Sequence, residues 1–384
     1  MSAPFSFQVQ ANCPTSGARC ATFETPHGAI QTPAFMPVGT RGTVKGVLPR
    51  DLRESGSTMV LANTLHLFLR PGPEAVREIG GLHTFMGWDG PILTDSGGYQ
   101  VFSMADLAQI NRDGVTFRSI VDGKSVRFTP EVVMDVQRDL GADVIMAFDH
   151  CPTDPTDRAQ VQAATDRTHH WLDRCVRQWQ ANGGLEGGQA LFGIVQGGTF
   201  EDLRAKSVEA VCSHDLAGVA VGGVSVGEDR EHIRNAFALA LPLLPPDRPR
   251  YLMGIGTPRD FFDAIRQGAD LFDCVTPTRH GRNHQVYTSR GRINVRNEGW
   301  SRSTEALDPE CPCPACTEFP LGSLRHFCKA NEMLAGSLLS LHNLYFFHRL
   351  LQRMRTAIAE GSLDALEAEV LPRVEKRQRP LDAG

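Results

Sequence analysis

The chain has 384 residues, of which 41% are hydrophobic and 22% are charged, as is ordinary for a soluble globular enzyme. Its formal net charge of −5 excludes a protein that coats nucleic acid indiscriminately, although local basic patches remain compatible with it. No secretory signal opens the sequence, and no segment approaches the length of a transmembrane helix. We therefore expect a cytoplasmic protein without membrane association, whose cysteines are reduced.

Residues 1–33 are predicted to form an N-terminal extension of β-hairpins. Between residues 34 and 275, short apolar runs alternate with longer amphipathic ones, which is the pattern of repeated βα units. The eight runs are Ala34 to Val38, Thr58 to Ala62, Pro91 to Thr94, Val144 to Phe148, Leu191 to Val195, Gly218 to Val221, Tyr251 to Ile255 and Ala269 to Phe272. Helical patterns include Pro130 to Leu140, Asp157 to Gln180, Phe200 to His214, Glu228 to Leu244 and Pro258 to Gln267. This alternation favours an α/β fold, a (β/α)₈ TIM barrel, over a doubly wound open sheet.

Two insertions and a C-terminal region complete the predicted organisation. A β-hairpin is predicted near residues 99–128, where strand-like segments flank the Asp122-Gly123 turn. Residues 276–323 are predicted to form a zinc-binding insertion after the eighth strand. The remainder, residues 324–384, is predicted to hold the last barrel helix, Leu324 to Leu351, and a C-terminal tail.

The strongest metal signal is a group of three thiols within six residues, Cys311, Cys313 and Cys316. Thiolates at this spacing converge on one ion, and zinc is the metal we expect. A set of disulfides is the alternative. Spacing alone does not identify the fourth ligand, since the later candidates are His326, Cys328, His342 and His348.

Polar residues follow most of the predicted barrel strands, and the carboxyl ends of barrel strands are where active sites lie. They include Asn63, Asp95, Asp149, Gln196, the pair Gly222-Gly223, Gly254 and Asp273. Each residue alone has a structural explanation, such as an Asx-turn or an ion pair. Together, these carboxylates, amides and bare glycines suit a planar heterocycle such as guanine, with Tyr99 or Met253 covering its faces.

A basic stretch follows the eighth strand. From Thr276 to Asn297 there is no Asp or Glu, whereas five arginines occur. A solvated surface loop explains this charge pattern as well as a nucleic-acid contact does.

The motifs at Asp95 to Ser103, Phe272 to Val275 and Pro277 to Arg279, with the thiol cluster and Ser340 to Leu344, resemble those of the tRNA-guanine transglycosylase family. The resemblance covers nearly the full length. It implies a barrel with a zinc insertion that exchanges guanine at the anticodon wobble position, position 34, of tRNAs with GUN anticodons, in queuosine biosynthesis.

The resemblance also implies roles for individual residues. Asp273 matches the nucleophile, and Asp95 matches the general acid/base and contacts the substrate. Base-binding positions match Tyr99, Asp149, Gln196, Gly222, Gly223 and Met253. With tRNA as the implied substrate, the acid-free stretch acquires a role, and we expect Thr278, Arg279, His280 and Arg282 to contact the RNA, with the arginines holding phosphates. One structural zinc ion per chain is implied, with Cys311, Cys313, Cys316 and His342 as ligands, and so is a homodimer.

Cys151 and Val226 resemble the bacterial form of the family, which uses the base preQ1. Val224, Ser225 and His280 depart from the residues usual at their positions. The expected reaction is a double displacement through a covalent aspartyl-ribosyl tRNA intermediate. Two rival functions are a non-catalytic tRNA-binding subunit, disfavoured because both aspartates are retained, and a metal-dependent hydrolase, which would need zinc ligands at strand ends.

Overall fold

The computed structural model describes residues 4–103, 108–223 and 230–378. The strands are β1 (Phe7–Asn12), β2 (Arg19–Thr25), β3 (Gly28–Thr32), β4 (Ala34–Pro37), β5 (Val60–Asn63), β6 (Ile92–Asp95), β7 (Ala108–Ile110), β8 (Val115–Arg118), β9 (Ser125–Phe128), β10 (Val144–Met146), β11 (Ala190–Val195), β12 (Gly218–Val221), β13 (Arg250–Leu252), β14 (Leu271–Cys274), β15 (Gln285–Thr288) and β16 (Gly291–Asn294). The helices are α1 (Pro49–Glu54), α2 (Thr64–Leu69), α3 (Pro73–Ile79), α4 (Gly81–Met86), α5 (Gly98–Ser103), α6 (Pro130–Leu140), α7 (Arg158–Ala181), α8 (Glu201–Cys212), α9 (Arg230–Ala240), α10 (Pro258–Ile265), α11 (Thr276–Arg282), α12 (Pro314–Thr317), α13 (Leu321–Ala330), α14 (Met333–Glu360) and α15 (Leu363–Val374).

Eight parallel strands form the central sheet, in the order β4-β14-β13-β12-β11-β10-β6-β5. A parallel bridge between Val38 and Leu61 joins its two outer strands and closes the sheet on itself. Each of the eight predicted apolar runs contains one of these strands or overlaps it. The predicted TIM barrel is therefore confirmed, and the doubly wound alternative is wrong.

Alternating side chains along the strands divide between two packed regions, as expected for strands covered on both faces. Inward-facing residues such as Leu61, Phe192 and Tyr251 fill the barrel interior. Outward-facing neighbours such as Leu191 and Leu252 pack in the larger core that the helices share. This division explains why the runs are continuously apolar rather than alternating.

The N-terminal strands form a separate antiparallel sheet in the order β1-β2-β3, in line with the expected hairpins. Its Phe23 and Ile30 belong to the same apolar cluster as the barrel interior. The Arg19 guanidinium donates to Asp270, which directly precedes β14. The sheet thus covers the end of the barrel where the strands begin.

The segment expected as a hairpin near residues 99–128 is more elaborate. It begins with α5 and continues with a three-stranded antiparallel sheet in the order β7-β8-β9. The hairpin itself is β8 and β9, which pair on either side of the Asp122-Gly123 turn.

Capping residues explain where α6 and α7 begin. Thr129 precedes α6 and accepts the backbone N–H of Val132, while Asp157 precedes α7 and accepts those of Ala159 and Gln160. Helix α6 spans the residues expected from its pattern, and α7 is displaced by one residue.

The helix expected from Leu324 to Leu351 is instead two helices, α13 and α14. Asn331 adopts a left-handed backbone conformation (φ 58°) and ends α13, and α14 then continues to Glu360. Asparagine tolerates this conformation at a helix C-terminus, so a local backbone feature breaks a pattern that is apolar throughout. Helix α14 packs against α11, β4 and β15.

The hairpin β15-β16, helix α12 and the start of α14 share a third apolar cluster that contains Cys311, Cys313 and Cys316. Among the described residues, no helix has both the length and the apolar character required to cross a bilayer.

Candidate active site and metal centre

A cavity of about 450 Å³ opens at the carboxyl ends of the barrel strands. Eight of the expected site residues line it: Asp95, Tyr99, Asp149, Gly222, Gly223, Met253, Asp273 and Arg279. Because the strands are parallel and in one barrel, residues far apart in the sequence reach the same rim.

Asp273 lies in β14, opposite Met36 of β4. Its Oδ1 accepts the Tyr251 hydroxyl at 2.6 Å and the Gly254 backbone N–H at 2.7 Å. Burial raises the pKa of this carboxyl, and the two hydrogen bonds oppose that rise. Both donors bond the same oxygen, so the carboxylate is oriented.

Asp95 ends β6 directly opposite Asn63 of β5. The Asn63 side-chain amide donates to Oδ2, and the backbone N–H groups of Thr64 and Gly97 donate to Oδ1 at 3.1 and 3.2 Å. Burial raises the pKa of Asp95 to about 7, with a smaller contribution from the charge of Asp273. A carboxyl group with this pKa exchanges protons readily near neutral pH.

Asp149 lies deeper in the site and is buried. Its Oδ1 accepts the Ser96 hydroxyl at 2.9 Å, and its Oδ2 accepts the Gln196 side-chain amide at 2.8 Å. Burial raises the pKa of Asp149 as well. Gln196 does not line the cavity itself but reaches the site through this bond.

The glycine pair after β12 lies against Gln196. A Cβ atom at Gly222 would come within 3.0 Å of the Gln196 amide nitrogen, and one at Gly223 would collide with the amide oxygen. Gly223 also has a positive φ of 63°, so glycine is required here for both space and conformation. Both glycines also line the cavity, so this loop presents backbone rather than side-chain atoms to it.

Two side chains stand at the edge of the cavity. Tyr99 on α5 is 48% exposed, and Met253, just after β13, is partly buried. Val224, Ser225 and Val226, singled out in the sequence, lie outside the described residues.

The four residues expected to bind RNA differ in their surroundings. Arg279 is exposed and lines the cavity. His280 is half-buried, stacks on Tyr287 with ring centroids 5.9 Å apart, and its pKa is lowered by burial. Arg282 is partly buried against Gly336 of α14. Thr278 departs from the expectation of a surface contact, because it is buried and its hydroxyl donates to the Val275 carbonyl.

The three thiols converge with a single histidine. The sulfurs of Cys313 and Cys316 are 3.6 Å apart, and they lie 3.4 and 3.2 Å from Nδ1 of His342. The Cys311 sulfur belongs to the same buried group, in which all four ligand atoms lie within 4.8 Å of one another. Tetrahedral zinc with Zn–S bonds near 2.3 Å implies sulfur–sulfur separations of about 3.8 Å. The donor set and its spacing fit a structural metal ion.

The carbonyl of Tyr287 accepts the Nε2–H of His342 at 2.8 Å, so Nδ1 is the ring nitrogen that faces the thiols and is placed to bind a metal ion. The other three candidates for the fourth ligand have different surroundings. His348 bonds the Ser57 hydroxyl, Cys328 packs in the apolar cluster, and His326 packs edge-on against Phe327.

Sequence reasoning missed three contributors to the site. Tyr251 was treated only as a strand residue, Asn63 was noted as a strand end without a partner, and Ser96 was not singled out. A tyrosine hydroxyl inside a barrel requires a hydrogen-bond partner, so Tyr251 carried a signal. The contacts of Asn63 and Ser96 depend on which strands are neighbours.

Comparison with known proteins agrees with this architecture. A family model described as queuine tRNA-ribosyltransferase matches residues 13–376. Curated relatives with that name include one from Synechococcus sp. (strain CC9311), 51% identical over 93% of this chain and 95% of its own length. Another, from Solidesulfovibrio magneticus, is 48% identical over 96% of this chain and 98% of its own. A third relative, from Nostoc sp., is 49% identical over 93% of this chain and 94% of its own length. The chain therefore belongs to the queuine tRNA-ribosyltransferase family.

Proposed function

We propose that this protein is a tRNA-guanine transglycosylase that exchanges the guanine at wobble position 34 of GUN-anticodon tRNAs for preQ1. The observation that carries the proposal is the convergence, on one cavity, of an oriented carboxylate, Asp273, and a carboxyl group whose pKa is near 7, Asp95. A base exchange at a ribose requires such a pair, one group to attack C1′ and one to move a proton.

In the first half-reaction, Asp273 attacks C1′ of the ribose. A new carboxylate–C1′ bond forms as the bond from C1′ to N9 of guanine breaks, which leaves the RNA joined to the protein as an ester. The hydrogen bonds from Tyr251 and Gly254 engage only Oδ1, so Oδ2 is the attacking oxygen. This covalent ester holds the tRNA in place between the two half-reactions, while the RNA backbone stays intact.

Asp95 transfers the proton. In its protonated form it donates to the departing guanine, and in its ionised form it accepts a proton from the incoming base as that base displaces Asp273. A pKa of about 7 allows both forms near neutral pH. The Asn63 amide and the two backbone N–H groups stabilise the ionised form.

The buried network recognises the base. The Asp149 carboxylate accepts adjacent N–H groups of guanine or preQ1, while the Gln196 amide and the Gly223 N–H bond its carbonyl oxygen. Gly222 keeps the loop close to Gln196. Tyr99 and Met253 cover the two faces of the ring.

The RNA is held beside the cavity by Arg279, which is exposed at the rim, with Arg282 and His280 next to it on α11. Thr278 shapes this helix from beneath rather than contacting RNA. A single-stranded anticodon loop presents its base at lower cost than a duplex, which suits an open rim with a deep pocket.

The metal is zinc, and its role is structural. Three thiolates and His342 would supply all four ligands of a zinc ion, which would leave no position for substrate. The site joins the insertion at residues 276–323 to α14, next to the helix that carries the arginines. Metal analysis tests this, with one zinc per chain expected for the wild type and none for Cys316→Ser.

The remaining assignments are also part of the proposal, and they rest on the sequence pattern or, for the homodimer, on the family resemblance. They are a cytoplasmic location, a homodimer, and a division into a β extension at 1–33, a barrel at 34–275, the zinc insertion, and a C-terminal region at 324–384. Sedimentation analysis tests the dimer.

Labelled guanine exchange into tRNA tests the function, with preQ1 and queuine as competitors. We expect incorporation into GUN-anticodon tRNAs and suppression by preQ1 at lower concentration than by queuine. Binding of tRNA without incorporation would instead support a non-catalytic subunit.

A further inference from the structure

A fully buried guanidinium lies behind the loops that form the base pocket, on the side that does not face the cavity. Arg204 on α8 has no exposed surface. Its Nε donates to the Gly198 carbonyl at 2.7 Å, and its Nη1 donates to the Val195 and Gly222 carbonyls at 3.1 and 2.9 Å. Its Nη2 donates to the Gly223 carbonyl at 3.4 Å. One side chain thus bonds the loops that follow two adjacent strands, β11 and β12.

The contact with the second loop sets the direction of its peptide groups. In a trans peptide the C=O and the following N–H point to opposite sides. Since the Gly222 carbonyl faces Arg204, the Gly223 N–H faces the other way, and Gly223 lines the cavity. The guanidinium therefore orients the donor that the proposed function assigns to the carbonyl of the base.

The first loop is held from the same helix. Ser207, one turn after Arg204, accepts the backbone N–H of Gln196 at 2.9 Å and lies 2.8 Å from Nε2 of His169. A Cβ atom at Gly197 would lie 2.7 Å from the Arg204 backbone nitrogen, so this loop rests directly on the helix. The Gln196 amide then bonds Asp149.

We propose that Arg204 is the positioning residue of the base pocket, which fixes the loops at 197–198 and 222–223 relative to each other and so determines affinity for 6-oxo purine and 7-deazapurine bases. The inference rests on the proposed function. A planar guanidinium with five donors bridges two loops, whereas a lysine ammonium is a compact point charge that bonds fewer carbonyls in a fixed arrangement.

The test compares Arg204→Lys and Arg204→Met with the wild type and with Lys206→Ala. Lys206 lies on the same helix but is exposed and pairs with Asp166. Calorimetric titration with guanine measures Kd without turnover, and exchange assays measure KM for guanine and for tRNA separately. We expect Kd and KM for guanine to rise about tenfold or more in both Arg204 variants, since hydrogen bonds to a charged group are lost. The tRNA affinity should stay within about twofold, and Lys206→Ala should match the wild type.

Unchanged guanine Kd in a folded Arg204 variant would overturn the inference, and so would an equal loss of guanine and tRNA binding. If neither Arg204 variant folds, Ser207→Ala takes their place, because it removes the bond to the Gln196 backbone and leaves the Arg204 contacts intact. The expectation for it is a rise of about threefold or more in guanine Kd. No rise would count against the clamping role of this helix. If the wild type binds guanine in an Arg204-dependent way but exchanges none, the proposed function fails and the positioning role stands.

Discussion

The two ends of the barrel both carry buried or half-buried aspartates, but their partners differ. Where the strands begin, Asp270 is paired with Arg19, and Asp143 bonds His27 at 2.7 Å and His83 at 3.1 Å. Where the strands end, Asp95, Asp149 and Asp273 are held by amides, hydroxyls and backbone N–H groups.

This difference separates stability from chemistry. Cationic or titratable partners neutralise the charge of a carboxylate, occupy its hydrogen-bonding positions and fix its orientation. Neutral donors orient a carboxylate but leave its charge and its proton available to a ligand. The aspartates where the strands begin should therefore contribute to folding, and those where they end should contribute to the reaction.

The largest expected effect is on catalysis. Asp273→Asn should reduce guanine exchange by about 1,000-fold or more, because an amide does not form the ester with C1′. Its thermal stability should match or exceed that of the wild type, since a neutral group replaces a carboxyl whose pKa is raised by burial. Exchange assays and thermal melts measure both. An RNA adduct of the variant that survives denaturant would show that another group is the nucleophile.

At the opposite end, Asp270→Asn should lower the free energy of unfolding by about 3–5 kcal/mol, because Arg19 is left buried without a carboxylate. Urea unfolding measures this. The control is Asp364→Asn, which removes an exposed partner of Arg266 and should change stability by less than about 0.5 kcal/mol. Equal effects from the two variants would contradict the assigned role of Asp270.

Asp143 should make the free energy of unfolding depend on pH in the acid range. Its hydrogen bonds hold its pKa below the ordinary 3.8 although burial opposes them, so the unfolded chain binds more protons than the native one. Its contribution is present above pH 3.8 and is lost as pH falls through the lower native pKa. Asp143→Asn should cost about 1–3 kcal/mol at neutral pH and less near pH 3. If the free energies of unfolding of variant and wild type differed by the same amount at every pH, Asp143 would not be the source of the pH dependence.

Asp95 should show the opposite dependence on pH. Because its pKa is about 7 in the native state against 3.8 ordinarily, the native chain binds more protons between those values, and its contribution to stability falls as pH rises. Above pH 7, Asp95→Asn should be more stable than the wild type by on the order of 1–2 kcal/mol, a figure reduced for the partial exposure of the side chain. The variant should also lose guanine-exchange activity. Chemical denaturation at pH 5 and 8 measures the gain. If the stability difference between variant and wild type were the same at pH 5 and pH 8, the pKa of Asp95 would lie outside the range between those values.

The smallest effect is expected at the exposed edge of the rim. Arg279→Ala should weaken tRNA binding, reduce the salt dependence of the binding constant by about one unit of slope and leave the melting temperature unchanged. Titrations of tRNA at several salt concentrations measure this. If the salt dependence of tRNA binding were unaltered, Arg279 would not contact an RNA phosphate.

Much of the architecture was predictable because it depends on local pattern. The eight apolar runs lie at the barrel strands, and capping residues such as Thr129 and Asp157 mark the starts of their helices. The division of the last long helix at Asn331 was not predicted, because a single left-handed residue interrupts an apolar pattern without altering it.

Candidate site residues were also visible in the sequence, since polar groups that end apolar strands stand out. Their partners were not. The spacing of the thiols indicates a metal but leaves four candidates for the fourth ligand. The family resemblance implies His342, and the fold shows why, because it brings His342 beside the sulfurs and the Tyr287 carbonyl beside its ring. In the same way, the sequence places Thr278 among the residues expected to bind RNA, and in the fold this residue is buried.

Residue types and their order along this chain were enough to indicate a barrel, a thiol cluster with the spacing of a metal site and a rim of carboxylates, because periodicity and spacing are local properties. Pairings such as Tyr251 with Asp273, and the four carbonyls gathered around Arg204, come from strand order and helix packing. These contacts join residues remote in sequence, and the environment that moves a carboxyl pKa arises only when the closed barrel excludes water around them.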